Sequence, residues 1–241
     1  MSGRINPVPA VEDGFEAARQ EMVARQIRAR GISAQRVLDA MASVPRHLFV
    51  SSQQAAQAYT DEPLSIGVGQ TISQPFMVAA MSEALSLQGH ERVLEVGAGS
   101  GYQAAVLSLL ARDVTAVEAQ PSLASQARER LSRLGYRNVR VEEGDGSMGW
   151  PPVTSLEGPP TTLYEAILVS AGAPSVPPPL VEQLSEGGRL VIPVGKSDQQ
   201  ELLRIVKRNG STTQQSLYSC RFVPLLGHYG WNPVTPGSPQ E

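Results

Sequence analysis

The sequence predicts an α/β domain with a doubly wound, mostly parallel sheet covered by helices on both faces. Three observations favour this fold class. Apolar runs of strand length alternate with helix-length amphipathic segments, a glycine-rich turn joins one strand to a helix, and Asn209-Gly210 separates the last two strands. Alternating strands and helices are typical of parallel sheets, whereas an Asn-Gly pair predicts an antiparallel hairpin, here at one edge. A chain of 241 residues suits a single such domain.

The predicted domain comprises residues 11–227, with a helical cap and active-site loop at 11–90 and a core at 91–227. Residues 1–10 lack a periodic apolar pattern, so a mobile tail is expected there. A first helix is expected over 11–30, because Gly31 can end it and one face carries an apolar stripe. The stripe consists of Phe15, Met22, Val23 and Ile27.

Two further helices are predicted in the cap, and each follows a serine. Ser33 is expected to N-cap a helix that ends before Pro45, with Val37, Leu38 and Met41 on its apolar face. Ser73 is expected to N-cap the next helix, which has Pro75 in its first turn. The glycine-rich, polar segment before Ser73 is expected to be a loop.

The core is expected to alternate strands and helices. Strands are predicted at 92–96, 114–118, 138–142, 164–170 and 189–194, followed by a hairpin of 201–208 and 216–225. Helices are predicted at 103–110, from Pro121 to Gly135, and from Pro177 to the Gly187-Gly188 pair. A proline-rich loop at 150–162 and a loosely ordered tail at 228–241 complete the chain.

The turn after the first core strand contains Gly97, Gly99 and Gly101. Three glycines in an ordered turn are costly unless the backbone must approach a ligand closely; an ordinary strand-to-helix turn is the alternative. The spacing is G-x-G-x-G rather than the dinucleotide pattern G-x-G-x-x-G, because Tyr102 stands where the third glycine would be. With Glu95 ahead of the glycines, the turn resembles motif I of S-adenosylmethionine-dependent methyltransferases.

Three acidic residues lie at the ends of successive core strands: Glu95, Glu118 and Asp145. The carboxyl ends of parallel strands meet at one edge of the sheet, so these side chains are expected to converge on the ligand. Glu118 is expected to accept both ribose hydroxyls. Asp145, followed by Gly146, is expected to accept from an exocyclic amine such as that of adenine; a plain Gly-Asp-Gly turn is the alternative.

Composition excludes several classes of function. The net charge of −3 gives no general attraction to nucleic acid, and the single cysteine, Cys220, excludes an internal disulfide framework. No apolar run is long enough to span a bilayer and the N-terminus lacks a signal-peptide core, so no membrane association and a cytoplasmic location are expected. The three histidines lack metal-ligand spacing, so no metal site is expected.

Four segments, in this order and spacing, resemble the protein-L-isoaspartate O-methyltransferase family: Gln70–Pro75, Val93–Gly101, Gly144–Gly146 and Arg221–Leu225. The resemblance covers about residues 16–226. It implies a Rossmann-like methyltransferase domain, monomeric and cytosolic. The implied reaction transfers the methyl group of S-adenosylmethionine to the α-carboxyl of L-isoaspartyl residues in damaged proteins and peptides. The ester then collapses to a succinimide, whose hydrolysis returns some normal aspartate.

The resemblance also assigns the active-site role to Ser73 and places Thr71 and Ile72 beside the cofactor. An isoaspartyl carboxylate has a pKa of about 4 and is ionised at neutral pH, so no general base is needed. A neutral hydroxyl orients such a nucleophile without holding its electrons in a strong ion pair. We therefore predict that Ser73 orients the carboxylate and does not attack covalently. The segment 222–225 is either an edge for an extended peptide or a plain edge strand.

Three other functions remain compatible with parts of the sequence. The first is a small-molecule methyltransferase on the same fold. The second is an NAD-dependent oxidoreductase, which Tyr102 in place of a glycine disfavours. The third is a catalytically silent binding module, which the set of Glu95, Glu118, Ser73 and the glycine turn disfavours.

Overall fold

A seven-stranded sheet forms the centre of the computed structural model, which describes residues 14–153 and 162–231. The strands are β1 (Leu64–Gly67), β2 (Gln70–Ile72), β3 (Arg92–Val96), β4 (Asp113–Glu118), β5 (Val139–Glu143), β6 (Tyr164–Val169), β7 (Leu184–Lys196), β8 (Gln199–Arg208) and β9 (Ser211–Cys220). The α-helices are α1 (Glu16–Glu21), α2 (Gln35–Ser43), α3 (Pro75–Ala84), α4 (Tyr102–Ser108), α5 (Pro121–Arg133) and α6 (Pro178–Glu182). Shorter 3-10 turns lie at Arg46–Phe49, Ser52–Gln57 and Gly146–Met148.

The strand order is β5-β4-β3-β6-β7-β8-β9, with β1 and β2 forming a separate antiparallel hairpin. Pairing is parallel from β5 through to β7 and antiparallel for β7-β8 and β8-β9. After β5 the chain returns to the other side of β3, so the direction of winding reverses between β3 and β6. Ligands of doubly wound folds bind at this reversal, beyond the carboxyl ends of the strands. The predicted fold class, including the antiparallel edge, is confirmed.

Helices cover both faces of the sheet because side chains alternate along each strand. Val93 of β3 belongs to the buried cluster that contains the N-terminal helices, α3 and α4. Its neighbour Leu94 belongs to the cluster on the opposite face, which includes Leu180 of α6. The same alternation turns Glu95 towards the face of Val93, beneath the helices that follow the glycine turn.

The N-terminal helix continues beyond α1 as a π-helical turn, Met22–Ile27, and a 3-10 turn, Arg28–Arg30, and it ends at Gly31. The predicted apolar face is buried at Met22 and Ile27. Residues 1–13 lie outside the described residues, so the expected tail and the first residues of the expected helix are not tested.

Ser33 is not the N-cap of α2; Ala34 is, and no side chain of the helix start caps it. A distant carboxylate serves instead, since Glu83 Oε1 accepts the backbone N–H groups of Ser33 (2.8 Å) and Ala34 (2.7 Å). Glu83 thus holds the backbone just before the first helical residue, whereas an N-cap serine would accept from the second or third N–H of the helix.

The helix predicted from Pro177 to Gly187-Gly188 is too long. Helix α6 ends at Glu182, and Leu184 already pairs with Tyr164 in the sheet. The two glycines lie inside β7, where the register with β6 is irregular. The short apolar run after the prolines contains both a helical turn and the start of a buried strand. The prediction was wrong because it assigned both parts to one helix.

The second hairpin strand was predicted at 216–225, but it runs from Ser211 to Cys220. The two-residue turn fixes this register, since Arg208 pairs directly with Ser211 across Asn209-Gly210. Residues 222–225 leave the sheet edge. They bond to the loop after β6 through Gly172 N–H to Val223 O and Leu225 N–H to Gly172 O, both at 2.8 Å.

The tail was expected to begin at His228, yet residues 228–231 pack against the domain. The His228 N–H donates to Asp145 Oδ2 (2.7 Å), and the Trp231 indole N–H donates to Gly172 O (3.0 Å). Residues 232–241, and residues 154–161 of the predicted proline-rich loop, lie outside the described residues. Within the described ranges no helix has the length and apolar character to cross a bilayer.

A buried carboxylate, Glu91, organises the loop that leads into β3. Its oxygens accept the backbone N–H groups of Gln88, Gly89 and His90 at 2.9–3.1 Å, and Arg189 lies 3.3 Å away. Burial raises the pKa of this carboxyl, but the backbone donors outweigh that effect and the net shift is downward. The ionised form therefore stabilises the folded state.

We expect Glu91→Gln to lower the free energy of unfolding by about 1.5–3 kcal/mol at pH 7, since bonds to a charged acceptor are lost. A lowered folded pKa stabilises above the unfolded value of about 4.3, and this contribution is lost as the pH falls through the folded pKa. Urea unfolding at pH 7 and near pH 3.5 should show the difference from wild type shrinking at low pH. Glu129→Gln, at an exposed position of α5, is the matched control; an equal loss in both variants would contradict the assignment.

Candidate active site

The glycine turn after β3 is fastened to the end of β4. The N–H groups of Gly97 (2.8 Å) and Ala98 (3.2 Å) donate to Val117 O, and the Gly99 N–H donates to Glu118 Oε2 (2.8 Å). The other oxygen of Glu118 accepts the Gln120 N–H at 2.9 Å. The Glu118 carboxylate thus fixes the turn, and its remaining lone pairs can accept from a ligand.

Gly99 and Gly101 are each required at their positions, but for different physical reasons. Gly99 has φ +53°, and a Cβ there would lie 3.3 Å from Ile66 Cδ1 of the β1-β2 hairpin that covers the turn. Gly101 has φ +85°, and a Cβ there would lie 3.1 Å from Leu131 Cδ1 of α5. Gly99 therefore permits close approach at the site, whereas Gly101 permits close packing of two helices.

Glu95 is completely buried at the end of β3. Its Oε1 lies 3.5 Å from the Ser170 hydroxyl, and its Oε2 has no hydrogen-bond partner among the described residues. Burial raises the pKa of Glu95 well above its usual value, the nearby Glu118 carboxylate adds to the rise, and Ser170 opposes it. A buried acceptor without a donor is costly, so a cationic or N–H-bearing ligand group would complete it.

Most of the predicted site residues line one cavity beyond the carboxyl ends of β3, β4 and β6: Thr71, Ile72, Ser73, Glu95, Gly97, Gly99, Glu118 and Gly146. Gly101 and Asp145 do not line it. No group of three or more His, Cys, Asp or Glu side chains in the described ranges is arranged to hold a metal ion.

Asp145 is engaged with the protein itself. Its Oδ1 accepts the N–H (2.9 Å) and the hydroxyl (2.6 Å) of Ser147, and its Oδ2 accepts the His228 N–H (2.7 Å). Asp145 thus caps the 3-10 turn after β5 and holds the segment 228–231 against the cavity wall at Gly146. Its contact with an exocyclic amine stays a prediction.

Ser73 lies between β2 and α3, but it is not the N-cap of α3. Gln74 is the N-cap, Pro75 is the first helical residue as predicted, and no side chain caps the helix. The backbone oxygen of Ser73 accepts from Arg46 Nη2 at 2.8 Å. The serine is therefore held through its own carbonyl group and not through a capping hydroxyl.

A second cavity adjoins the first, and four residues line both: Thr71, Ser73, Ser170 and Val223. Its floor contains Phe76 of α3. The Arg30 guanidinium lies 3.6 Å from the centre of the Phe76 ring, and the Tyr218 ring meets it edge-on at 5.5 Å. Ser73 consequently lies at the junction of the two cavities.

Sequence reasoning missed several residues of this junction. Ser170 follows β6 directly, so the strand-end rule that selected Glu118 applied to it as well. Val223 was included only as part of a possible edge. Arg30 and Tyr218 gave no local signal, because long-range packing brings them to the site.

A family model described as protein-L-isoaspartate(D-aspartate) O-methyltransferase matches residues 17–230. The chain belongs to this family. The match confirms the predicted family and enzyme class, and it extends the resemblance from about residue 226 to residue 230, where the chain packs against Asp145.

Curated members of the family are similar over nearly the whole chain. The protein-L-isoaspartate O-methyltransferase of Methanoculleus marisnigri is 52% identical over 219 residues, which is 91% of this chain and 96% of the relative. That of Geobacter metallireducens is 52% identical over 218 residues, or 90% and 97%.

Two solved structures of the family share the fold. One protein-L-isoaspartate O-methyltransferase is 29% identical with a TM-score of 0.76, covering 88% of this chain and 67% of its own. A putative member from Plasmodium falciparum, solved with S-adenosyl-L-homocysteine, is 26% identical with a TM-score of 0.72, covering 86% and 98%.

Glu95 is buried with one oxygen unpaired, so we expect it to lower the stability of the protein but to strengthen ligand binding. A raised folded pKa destabilises the folded state increasingly as the pH rises above the unfolded value. Glu95→Gln should therefore raise the Tm at pH 8, by about 2–4 °C per kcal/mol gained, with a smaller gain near pH 4. The same change should weaken S-adenosylhomocysteine binding about tenfold or more, since a charged acceptor is lost.

Thermal unfolding at both pH values and calorimetric titration with S-adenosylhomocysteine would check this prediction. Glu165→Gln serves as the control, because that half-buried carboxylate pairs with Arg92 at the opposite end of the strands. A Glu95→Gln protein that is less stable at pH 8, or that binds as tightly as wild type, would contradict the assignment.

Proposed function

We propose that the protein repairs damaged polypeptides by methylating the α-carboxyl group of L-isoaspartyl residues, and that Ser73 orients this carboxylate. The observation that carries the proposal is the position of Ser73 at the junction of two cavities. The first cavity, which contains the glycine turn, suits the methyl donor and is the donor cavity. The second cavity, the adjoining groove, suits a polypeptide acceptor. Membership of the family supports the same reaction.

The donor cavity fits S-adenosylmethionine, the cofactor predicted from the sequence. The Glu118 carboxylate, with lone pairs left after bonding to two N–H groups, suits the ribose diol. The unpaired Oε2 of Glu95 suits the amino group of the methionyl end. When bound, this cofactor supplies a methyl group already activated by the sulfonium. The Plasmodium relative binds its demethylated product.

The acceptor needs positioning and partial desolvation rather than a base. Its carboxylate is ionised at neutral pH, and within about 3–3.5 Å of an electrophile, held in line, it reacts far faster than in solution. The Ser73 hydroxyl can donate one hydrogen bond to one carboxylate oxygen. Because the hydroxyl is neutral, the second oxygen keeps its nucleophilicity.

The adjoining groove offers features that suit an extended polypeptide. Phe76 and Tyr218 provide aromatic surface, and Tyr218 is 38% exposed. Arg30 lies over Phe76 and pairs with Asp61 at 2.6 Å. The groove is continuous with Ser73 through Thr71, Ser170 and Val223, so a side-chain carboxyl can reach the donor while the backbone stays outside.

We expect Ser73→Ala to lower kcat for an isoaspartyl peptide by about 10- to 100-fold, because the nucleophile loses its orientation. The affinity for S-adenosylhomocysteine should stay within about twofold, since the donor side is held by Glu118 and Glu95. Steady-state methylation with labelled cofactor, on an isoaspartyl peptide and its aspartyl twin, measures the first effect. Titration calorimetry measures the second.

Ser65→Ala is the matched control, because it removes an exposed hydroxyl of β1 outside both cavities. It should retain wild-type turnover. Full turnover by Ser73→Ala would refute the role of Ser73, and equal methylation of both peptides by the wild type would refute the proposed substrate. A monomeric state, a cytoplasmic location and the absence of nucleic-acid or membrane partners stay predictions.

A further inference from the structure

We propose that Arg46 is a positioning residue for methyl transfer, which fixes the Ser73 peptide group from behind the cavity wall and thereby aims the hydroxyl. The inference rests on the proposed role of Ser73. Arg46 itself lines neither cavity, so it acts through Ser73 and does not contact the substrate.

Arg46 bridges the helical cap and the active-site loop. It begins the 3-10 turn after Pro45 and has no exposed surface. Its Nε donates to Ala58 O at 2.7 Å, and its Nη2 donates to Ser73 O at 2.8 Å. The carbonyl of Ser73 is therefore tied to a residue 27 positions earlier in the chain.

Fixing this carbonyl fixes the torsion beside the Ser73 Cα. The Cα–Cβ bond leaves from that same Cα, so the position of Cβ, from which the hydroxyl projects, follows the peptide plane. Ser73 lies after the end of β2 and before the N-cap of α3, where neither a strand ladder nor a helical bond sets its backbone. The bond from Arg46 takes over that function.

Packing alone does not require an arginine here. In the described residues no carboxylate lies within ion-pair distance of the guanidinium, and its Nη1 has no hydrogen-bond partner. Burial lowers the pKa of Arg46, and Tyr102, Tyr59 and the Asp61 carboxylate offset part of that effect. The guanidinium carbon lies 4.9 Å from the centre of the Tyr102 ring. A buried charge of this kind is costly, and an apolar side chain of similar volume would fill the space without the cost.

Arg46 also contacts Tyr102, so it holds Ser73 at a fixed place relative to the donor side. Tyr102 begins α4, directly after the glycine turn, and lines the donor cavity. One guanidinium thus touches the residue that orients the acceptor and the helix that carries the donor turn. A small displacement of either changes the approach of nucleophile to methyl group, for which misplacement by about 1 Å can cost 100-fold.

The test uses Arg46→Lys and Arg46→Gln in the full chain. Lysine keeps the charge but cannot bond both carbonyls from two separate nitrogens, and glutamine removes the charge. Both variants should lose kcat for the isoaspartyl peptide by about 10- to 100-fold, with S-adenosylhomocysteine affinity within about twofold of wild type. Rates are counted per molecule able to bind S-adenosylhomocysteine, so that any unfolded fraction drops out.

Arg19→Lys is the matched control. Arg19 is also a buried arginine of the cap, and it donates to Ala42 O (2.8 Å) and the Tyr59 hydroxyl (3.2 Å) without contacting Ser73. It should lower the Tm while leaving the rate per binding-competent molecule unchanged. An equal loss of kcat in Arg19→Lys would show a general effect of cap stability and overturn the proposal.

A double-mutant cycle separates positioning from structure. If Arg46 acts through Ser73, Arg46→Lys should cost little further kcat in a Ser73→Ala background, because coupled residues are not additive. Additive losses, unchanged kcat in Arg46→Lys, or a parallel loss of S-adenosylhomocysteine affinity would each overturn the proposal. Failure of the proposed function is distinct: the wild type would then not prefer the isoaspartyl peptide over its aspartyl twin.

Discussion

Two carboxylates at the ends of neighbouring parallel strands govern the site. Glu95 and Glu118 lie on β3 and β4, so the sheet itself brings like charges together. Glu118 accepts hydrogen bonds from the N–H groups of Gly99 and Gln120. Glu95 has no such donors, and burial holds its proton more tightly. The buried Glu95 oxygen is therefore an acceptor that a positively charged ligand group can satisfy. Without the ligand it lowers the stability of the protein, and with the ligand it contributes to binding.

The division into two cavities follows from the topology. The winding reversal beside β3 opens the donor cavity. Ser170, directly after β6, and Val223 line both cavities and so form the wall between them. Ser73 reaches this wall from the helical cap, outside the sheet. The reacting groups are thus presented by different layers of the domain, and the alignment of the layers depends on tertiary contacts such as those of Arg46.

Local patterns were sufficient for the features that depend on nearby residues. Hydrophobic periodicity predicted the parallel strands, and Asn209-Gly210 predicted the hairpin turn. The spacing of the glycines predicted the binding site of the methyl donor. The errors arose where distant groups replaced local ones. Glu83 binds the N–H groups of Ser33 and Ala34 at the start of α2, and residues 222–225 pair with Gly172 instead of extending β9. The predicted N-cap of α3 was wrong by one residue, since Gln74 and not Ser73 occupies that position. The Arg46 guanidinium bonds to carbonyl groups 12 and 27 residues away, and such long-range bonds leave no periodic pattern in the sequence.

The segment that packs against Asp145 has an optical consequence. The chain contains two tryptophans, Trp150 and Trp231, and the indole N–H of Trp231 is bonded to Gly172 in the loop beside the cavity wall. Tyr229, two residues before Trp231, donates its backbone N–H to the Ser147 hydroxyl, and Ser147 follows the cavity-lining Gly146. The backbone N–H of Trp231 also donates to Leu225 O, and Leu225 lines the donor cavity. A change at this rim is therefore expected to alter the fluorescence of Trp231.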